Sequence, residues 1–209
     1  EAWAKTSVPP TPKGWLGLPS ILIGRPSVDV TTRGWAPRRV GIIGLGAGVV
    51  ASYGRPGDTF TFYEISPRVV DVANSEFTFL RDTAAKTDVV LGDGRLSLER
   101  ETPQRYDVLG IDAFAGDSIP MHLVTREAMA LYDRHLAPDG VIVFQATNRY
   151  IDLLPVVKRL ANEVGMEAVL VSDVPAGSDT GPDYWLSSTD QILVTRNRRL
   201  LESGALRYV

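Results

Sequence analysis

Val40-Gly-Ile-Ile-Gly-Leu-Gly-Ala-Gly48 is succeeded, after a short gap, by Thr59-Phe-Thr-Phe-Tyr-Glu64. The first stretch reads as an apolar strand running into three glycines at alternate positions, Gly44, Gly46 and Gly48. The second reads as a strand that ends on an acid twenty residues after Gly44. A strand, a glycine turn, a helix and a second strand closed by an acid form a nucleotide-binding half-fold. The glycines allow turn conformations that a Cβ would forbid and let a ligand come close to the backbone. The acid can accept both hydroxyls of a ribose.

The remaining sequence is consistent with that start. Its 209 residues suit one domain, or one domain with an appendage, and are enough to bury a sizeable core. At 44% hydrophobic and 22% charged it is an ordinary globular composition. A net charge of −3 lacks the basic field of a nucleic-acid binder, so no nucleic-acid partner is expected. With no cysteine, disulfides and thiolate metal sites are excluded. The longest apolar runs are strand-sized, so no membrane contact by this segment is expected. The chain opens on Glu1 rather than Met, which fits a piece of a longer protein.

Residues 1–37 differ in character from residues 38–209. Six prolines, from Pro9 to Pro37, punctuate them, with Trp3, Trp15 and Trp35 between. They are expected to form an N-terminal extension or cap, with a poorly ordered leader as the alternative for the first dozen residues. From Arg38 to the end the pattern alternates. Strands are expected near 39–44, 59–64, 87–91, 106–112, 140–147, 166–171 and 190–196. Helices are expected near 47–54, 67–74, 121–136 and 151–164. Ser66-Pro67 reads as a helix start, Pro120 as another, and Ala137-Pro-Asp-Gly140 as a helix stop. The expected fold is α/β: a doubly wound, mostly parallel seven-stranded sheet with an antiparallel edge strand and helices on both faces. The last two strands, joined by a polar insert over 173–189, are expected to pair antiparallel at the sheet edge.

In such sheets ligands bind beyond the carboxyl ends of the strands. Those ends carry Gly44–Gly48, Glu64, Gly92-Asp93-Gly94-Arg95, Asp112-Ala-Phe-Ala-Gly-Asp117-Ser-Ile-Pro120 and Gln145-Ala-Thr-Asn-Arg-Tyr150. Acids at the ends of strands two, three and four are hard to explain as packing. Glu64 on a ribose and Asp93 on an exocyclic adenine amine would lay a nucleoside across the sheet edge. The group beyond the ribose would then face Asp112, the layout of an S-adenosylmethionine-type cofactor. The competing structural readings are local: Asp93, Asp112 and Asp117 can each serve as turn or helix-capping residues. His122 and His135 are too far apart to share a metal-binding turn, so no metal is expected. Arg196 to Arg199 reads as a solvated strand end.

Residues 38–196 resemble the class I S-adenosylmethionine-dependent methyltransferase fold, known for its Rossmann-like sheet. Within it they look most like the spermidine synthase (polyamine aminopropyltransferase) family. The resemblance is carried by Gly44–Gly48, Tyr63-Glu-Ile-Ser-Pro67, Leu91-Gly-Asp-Gly-Arg95, Tyr106-Asp-Val-Leu-Gly-Ile-Asp112 and the segment from Asp112 to Glu127. That last segment is closest to a bacterial branch in which the domain is often fused to a membrane-transporter-like half.

The resemblance implies a transferase that alkylates an amine or polyamine with decarboxylated S-adenosylmethionine, or uses S-adenosylmethionine itself. It implies a cytoplasmic domain, whether free or part of a membrane-attached protein, and a homodimer. It implies Gly44, Gly46, Gly48, Glu64, Ile65, Asp93, Gly94 and Asp112 as cofactor-binding residues. Asp112 and Asp117 would be the catalytic acids, with Asp117 and Tyr150 binding substrate. Two departures bear on this. Four residues separate Asp112 from Asp117 where the family has two. Ala47 stands where the family has an aspartate that meets the aminopropyl amine. The second departure favours an alternative, methyl transfer from the intact cofactor to a small substrate. A non-catalytic nucleoside-binding regulatory domain is the third reading.

Overall fold

The computed structural model describes residues 36–113, 119–147, 151–173 and 189–202. Seven strands form one sheet: β1 (Arg39–Ile43), β2 (Thr59–Glu64), β3 (Lys86–Leu91), β4 (Tyr106–Ile111), β5 (Leu136–Gln145), β6 (Glu167–Asp173) and β7 (Thr189–Thr195). Their spatial order is β3-β2-β1-β4-β5-β7-β6. The first five run parallel, and β7 is antiparallel to both β5 and β6. The expected α/β class and all seven expected strands are present. The antiparallel pair forms at the expected end of the sheet, with β7 one place in and β6 outermost. The expected N-terminal cap and most of the polar insert lie outside the described residues.

The helices are α1 (Pro67–Ser75), α2 (Phe79–Asp82), α3 (Gly94–Arg100), α4 (Arg126–His135), α5 (Leu154–Glu163) and α6 (Arg198–Leu201). Several differ from the sequence expectation. The helix expected over 47–54 is a 3-10 segment, Val49–Tyr53, where paired β-branched residues disfavour a full α turn. The helix expected over 121–136 is broken. Met121–Leu123 is a 3-10 turn, and α4 starts afresh at Arg126, with the Thr125 hydroxyl accepting from the Ala128 N–H at 3.1 Å. Pro138 and Gly140 do not stop a helix. They lie within β5, whose pairing with β4 is irregular between Tyr106 and Val108. A Cβ on Gly140 would fall 2.7 Å from the Tyr106 carbonyl oxygen, so the glycine admits the close approach. Helices α2, α3 and α6 are additions to the sequence expectation.

Both faces of the sheet are covered, which is why its strands read as apolar runs. One face packs Ile43, Leu109, Ile111, Ile142 and Phe144 against Leu98, Met129, Tyr132 and Val157 of the helices. The other packs Val40, Ile42, Phe60, Phe62, Val108, Val141 and Leu193 with Ala51 and Ala73. Under α3 the Tyr63 hydroxyl donates to Glu101 Oε2 at 2.8 Å and shares a 2.7 Å bond with the Tyr106 hydroxyl. His135 is a packing residue, fully buried, its Nδ1 accepting from the Gln104 N–H at 3.3 Å. Burial and then the neighbouring Arg134 lower its pKa, so it packs as neutral imidazole.

Candidate functional site

The connections leave β1 towards β2 and β3 on one side, and β4 towards β5 on the other. The sheet's switch point therefore falls between β1 and β4, and the glycine turn and Asp112 emerge there side by side. The Asp112 N–H donates to the Ile43 carbonyl at 2.9 Å, extending the β1–β4 ladder. Gly44 has φ +103°, and a Cβ there would collide with the Asp112 carbonyl oxygen. Gly44 is thus fixed by both conformation and crowding. Gly46 differs: its φ is +53°, yet nothing lies within 4 Å of where a Cβ would sit. The turn requires its left-handed backbone while leaving open space above it, as a site for a ligand's approach demands.

Glu64 ends β2 and is only 7% exposed. Its Oε2 accepts from the Leu45 N–H at 3.0 Å and its Oε1 from the Ser66 N–H at 2.8 Å. The carboxylate therefore staples the glycine turn to the exit of β2. Each oxygen keeps a further lone pair, so a ribose can still be accepted. Ser66 precedes Pro67 of α1 without making a side-chain cap bond. Beside this acid Ile65 is 69% exposed, an apolar side chain held out at the end of a strand.

Asp93 comes after β3 and caps α3, Oδ1 accepting from the Leu96 N–H at 2.9 Å. Its Oδ2 lies 2.9 Å from His122 Nε2. Gly94 is the first residue of α3, and a Cβ on it would meet Ile43 Cγ2 at 2.7 Å, so the helix starts tight against β1. Arg95 adds a second tie: Nη1 donates to the His122 carbonyl at 2.7 Å and to Thr125 Oγ1 at 3.2 Å. Two residues in the connection beyond β3 thus grip the segment that leads into α4. Met121 in that segment is 72% exposed. Sequence reasoning sets His122 aside with the other histidine, and gives no role to Arg95 or Met121, although both fall within the motifs it quotes. The signal available is the place of His122 and Met121, just downstream of the acid-bearing stretch beyond β4.

Asp112 is solvent-exposed, although many protein atoms surround its carboxyl. Desolvation there pushes its carboxyl up to about 6. Ala47 is half-buried inside the glycine turn. The structure brings Gly44, Gly46, Gly48, Glu64, Ile65, Asp93, Gly94 and Asp112 to the carboxyl edge of the sheet. Asp117 and Tyr150 lie outside the described residues.

The cap role of Asp93 and the ligand role expected of it can be tested apart. Asp93→Ser keeps an oxygen for the Leu96 N–H, and serine caps about as well as aspartate. It loses the carboxylate that faces His122. The expected result is a urea midpoint close to that of the unaltered protein, with adenine nucleoside affinity reduced by about tenfold, the worth of one charge-assisted hydrogen bond. Equal nucleoside affinity in the two proteins would leave Asp93 a helix cap alone.

No protein-family model matches the chain. It is 38% identical over 114 residues to the polyamine aminopropyltransferase of Vibrio vulnificus strain CMCP6, a match covering 51% of this chain and 37% of that protein. The chain thus spans little more than a third of the length of that relative. Its fold is that of the spermidine synthase of Thermotoga maritima, with a TM-score of 0.59 at 16% identity over 88% of this chain and 61% of that one. Human methyltransferase-like protein 13, solved with SAH, aligns with a TM-score of 0.58 at 20% identity, over 91% of this chain and 87% of that one. The seven-stranded sheet is therefore that of the class I methyltransferase fold.

Proposed function

We propose that this chain is the catalytic domain of an aminopropyltransferase, residues 38–209 forming the transferase unit. In this reading it moves an aminopropyl group from decarboxylated S-adenosylmethionine to an amine. The likeness to the Vibrio vulnificus polyamine aminopropyltransferase carries the choice of reaction. The open turn at Gly46 and the two acids beyond β2 and β3 fit the nucleoside end of such a cosubstrate. Glu64 takes the ribose hydroxyls on its spare lone pairs. Asp93 takes the adenine amine, and Ile65 offers the base an apolar face.

The cosubstrate supplies an electrophilic carbon on a sulfonium, already a good leaving group. What remains for the protein is to orient the amine and take its proton. Asp112 draws the cationic amine to the switch point and holds its nitrogen in line with that carbon. As the new C–N bond forms, the C–S bond breaks and its electron pair stays on sulfur, leaving methylthioadenosine. Before attack the ammonium gives one proton to the Asp112 carboxylate, which frees the nitrogen lone pair, and the alkylated product forms as a secondary ammonium.

Ala47 supports a second reading, methyl transfer from intact S-adenosylmethionine. With no acid at this position the turn neither attracts the aminopropyl ammonium nor repels the carboxylate of the intact cofactor. Calorimetric titration with S-adenosylmethionine, its decarboxylated form and methylthioadenosine tests both. Tighter binding of the decarboxylated form, with methylthioadenosine as the product of turnover, is the expected result. Preference for the intact form would transfer the assignment to methyl transfer. Binding of none would remove the nucleoside site itself.

A further inference from the structure

Two buried acceptors near Asp112 are unused by that chemistry. The side-chain carbonyl oxygens of Gln145 and Gln191 are buried and have no hydrogen-bond partner among the described residues, an uncommon condition in a folded protein. They are not separate accidents. Gln145 ends β5 and is the register partner of Gln191 on β7. Successive side chains on a strand alternate between faces. Gln145 lies four residues beyond Val141, and Gln191 two before Leu193, both on the face that also holds Val108 and Val171. Asp112 lies four residues beyond Val108, so it shares this face.

The pairing fixes their order. Ile111 is in register with Phe144, the last pair of the β4–β5 ladder, so Asp112 and Gln145 each stand one residue beyond it. Gln145 pairs with Gln191, and Gln191 with Val171 on β6. Along one edge of one face the sequence of side chains is therefore carboxylate, amide, amide, and then an apolar stop at Val171, which is 4% exposed. Neighbouring strands lie about 4.8 Å apart, so the three acceptors span about 10 Å. One step back along the strands, Val143 and Leu193 offer an apolar floor suited to methylene groups.

Three acceptors in a line, an anion and then two amide oxygens without a donor among the described residues, ask for a ligand that carries donors at regular spacing. A three-carbon spacer places two amine nitrogens about 5 Å apart when extended, taking about 1.2 Å per bond along an extended chain. We propose that Gln191 is a specificity-determining residue: it extends the amine site on to β7, so that the preferred amine is a linear triamine rather than a diamine. The nitrogen to be alkylated sits at Asp112, the second on Gln145 and the third on Gln191. This rests on the aminopropyltransferase reading, and deepens it by giving the length of the acceptor amine.

The test is calorimetry on the protein saturated with methylthioadenosine, titrated with 1,4-diaminobutane and with bis(3-aminopropyl)amine. The expected result is triamine binding at least about tenfold tighter than diamine binding, the worth of one more charged hydrogen bond. Gln191→Leu should collapse that ratio towards one. The near-isosteric Gln191→Glu, which guards against a folding defect in the leucine variant, should widen it. A native protein that binds both amines equally, or a Gln191→Leu protein that weakens both in proportion, overturns the inference while leaving the aminopropyltransferase reading standing. Failure of methylthioadenosine itself to bind is the distinct outcome that overturns that reading, and the triamine site with it.

Discussion

Asp112→Asn should lower turnover by about 10²- to 10⁴-fold, the range that a positioned general base contributes, while methylthioadenosine still binds. Asparagine keeps the shape of the side chain and the backbone bond to the Ile43 carbonyl, so the switch point should hold. It cannot take a proton from the attacking amine. The same carboxyl sets a pH dependence whose sign comes from its shift. Desolvation raises its pKa from the ordinary aspartate value to about 6. Below that pH the group is protonated and can neither attract the ammonium nor accept its proton. As pH rises through about 6, kcat/KM should climb, and the limb should be absent from the Asp112→Asn profile. Stopped assays for methylthioadenosine across pH 5 to about 8 would read both effects. An asparagine variant with near-native turnover would remove Asp112 from the reaction.

Glu64→Ala should abolish measurable nucleoside binding and destabilise the fold as well. Two backbone donors lose their acceptor at once. The Leu45 N–H is buried, and leaving it unpaired costs about 1–3 kcal/mol. The Ser66 N–H is nearer solvent, so water can replace part of what it loses. Because Glu64 joins the glycine turn to β2, the turn should loosen even before a ligand is offered. A lower urea midpoint together with lost methylthioadenosine affinity is the expected pair of results. Glu64→Gln is the informative companion. Its amide group presents an N–H₂ to one of the two backbone donors, so it too should lose stability, though less than alanine. If Glu64→Ala kept both its midpoint and its affinity, the staple would be energetically idle.

Much of this arrangement is legible in the sequence because the buried strands are short, apolar and bounded by glycine or acid. Val40–Ile43, Val108–Ile111 and Val141–Phe144 are covered on both faces, so no helical period competes with them. Helix α3 escapes notice for a physical reason. It begins on Gly94, a poor helix residue kept for its contact with Ile43, and spans only seven positions. Asp93 reads as a ligand residue from its place beyond β3, and it is also the cap that starts this helix. The ties from Asp93 and Arg95 to His122 cannot be read, since they join residues nearly thirty positions apart. Hydrophobic periodicity carries no information about such pairs. Nor can it show that Gln145 and Gln191 are neighbours, because that depends on where an antiparallel strand is inserted.

That insertion has a consequence for how the chain assembles. β6 is made before β7, but its ladder to the sheet runs only through β7. During synthesis from the amino terminus, six strands can emerge while β5 still presents an open edge and β6 has nothing to pair with. The final strand must then enter between them, zipping both ladders in one event. Forming such non-local pairs late carries a loop-closure cost and slows folding. Until it happens, the open edge of β5 and the unpaired β6 are available to neighbouring chains, which is an aggregation hazard.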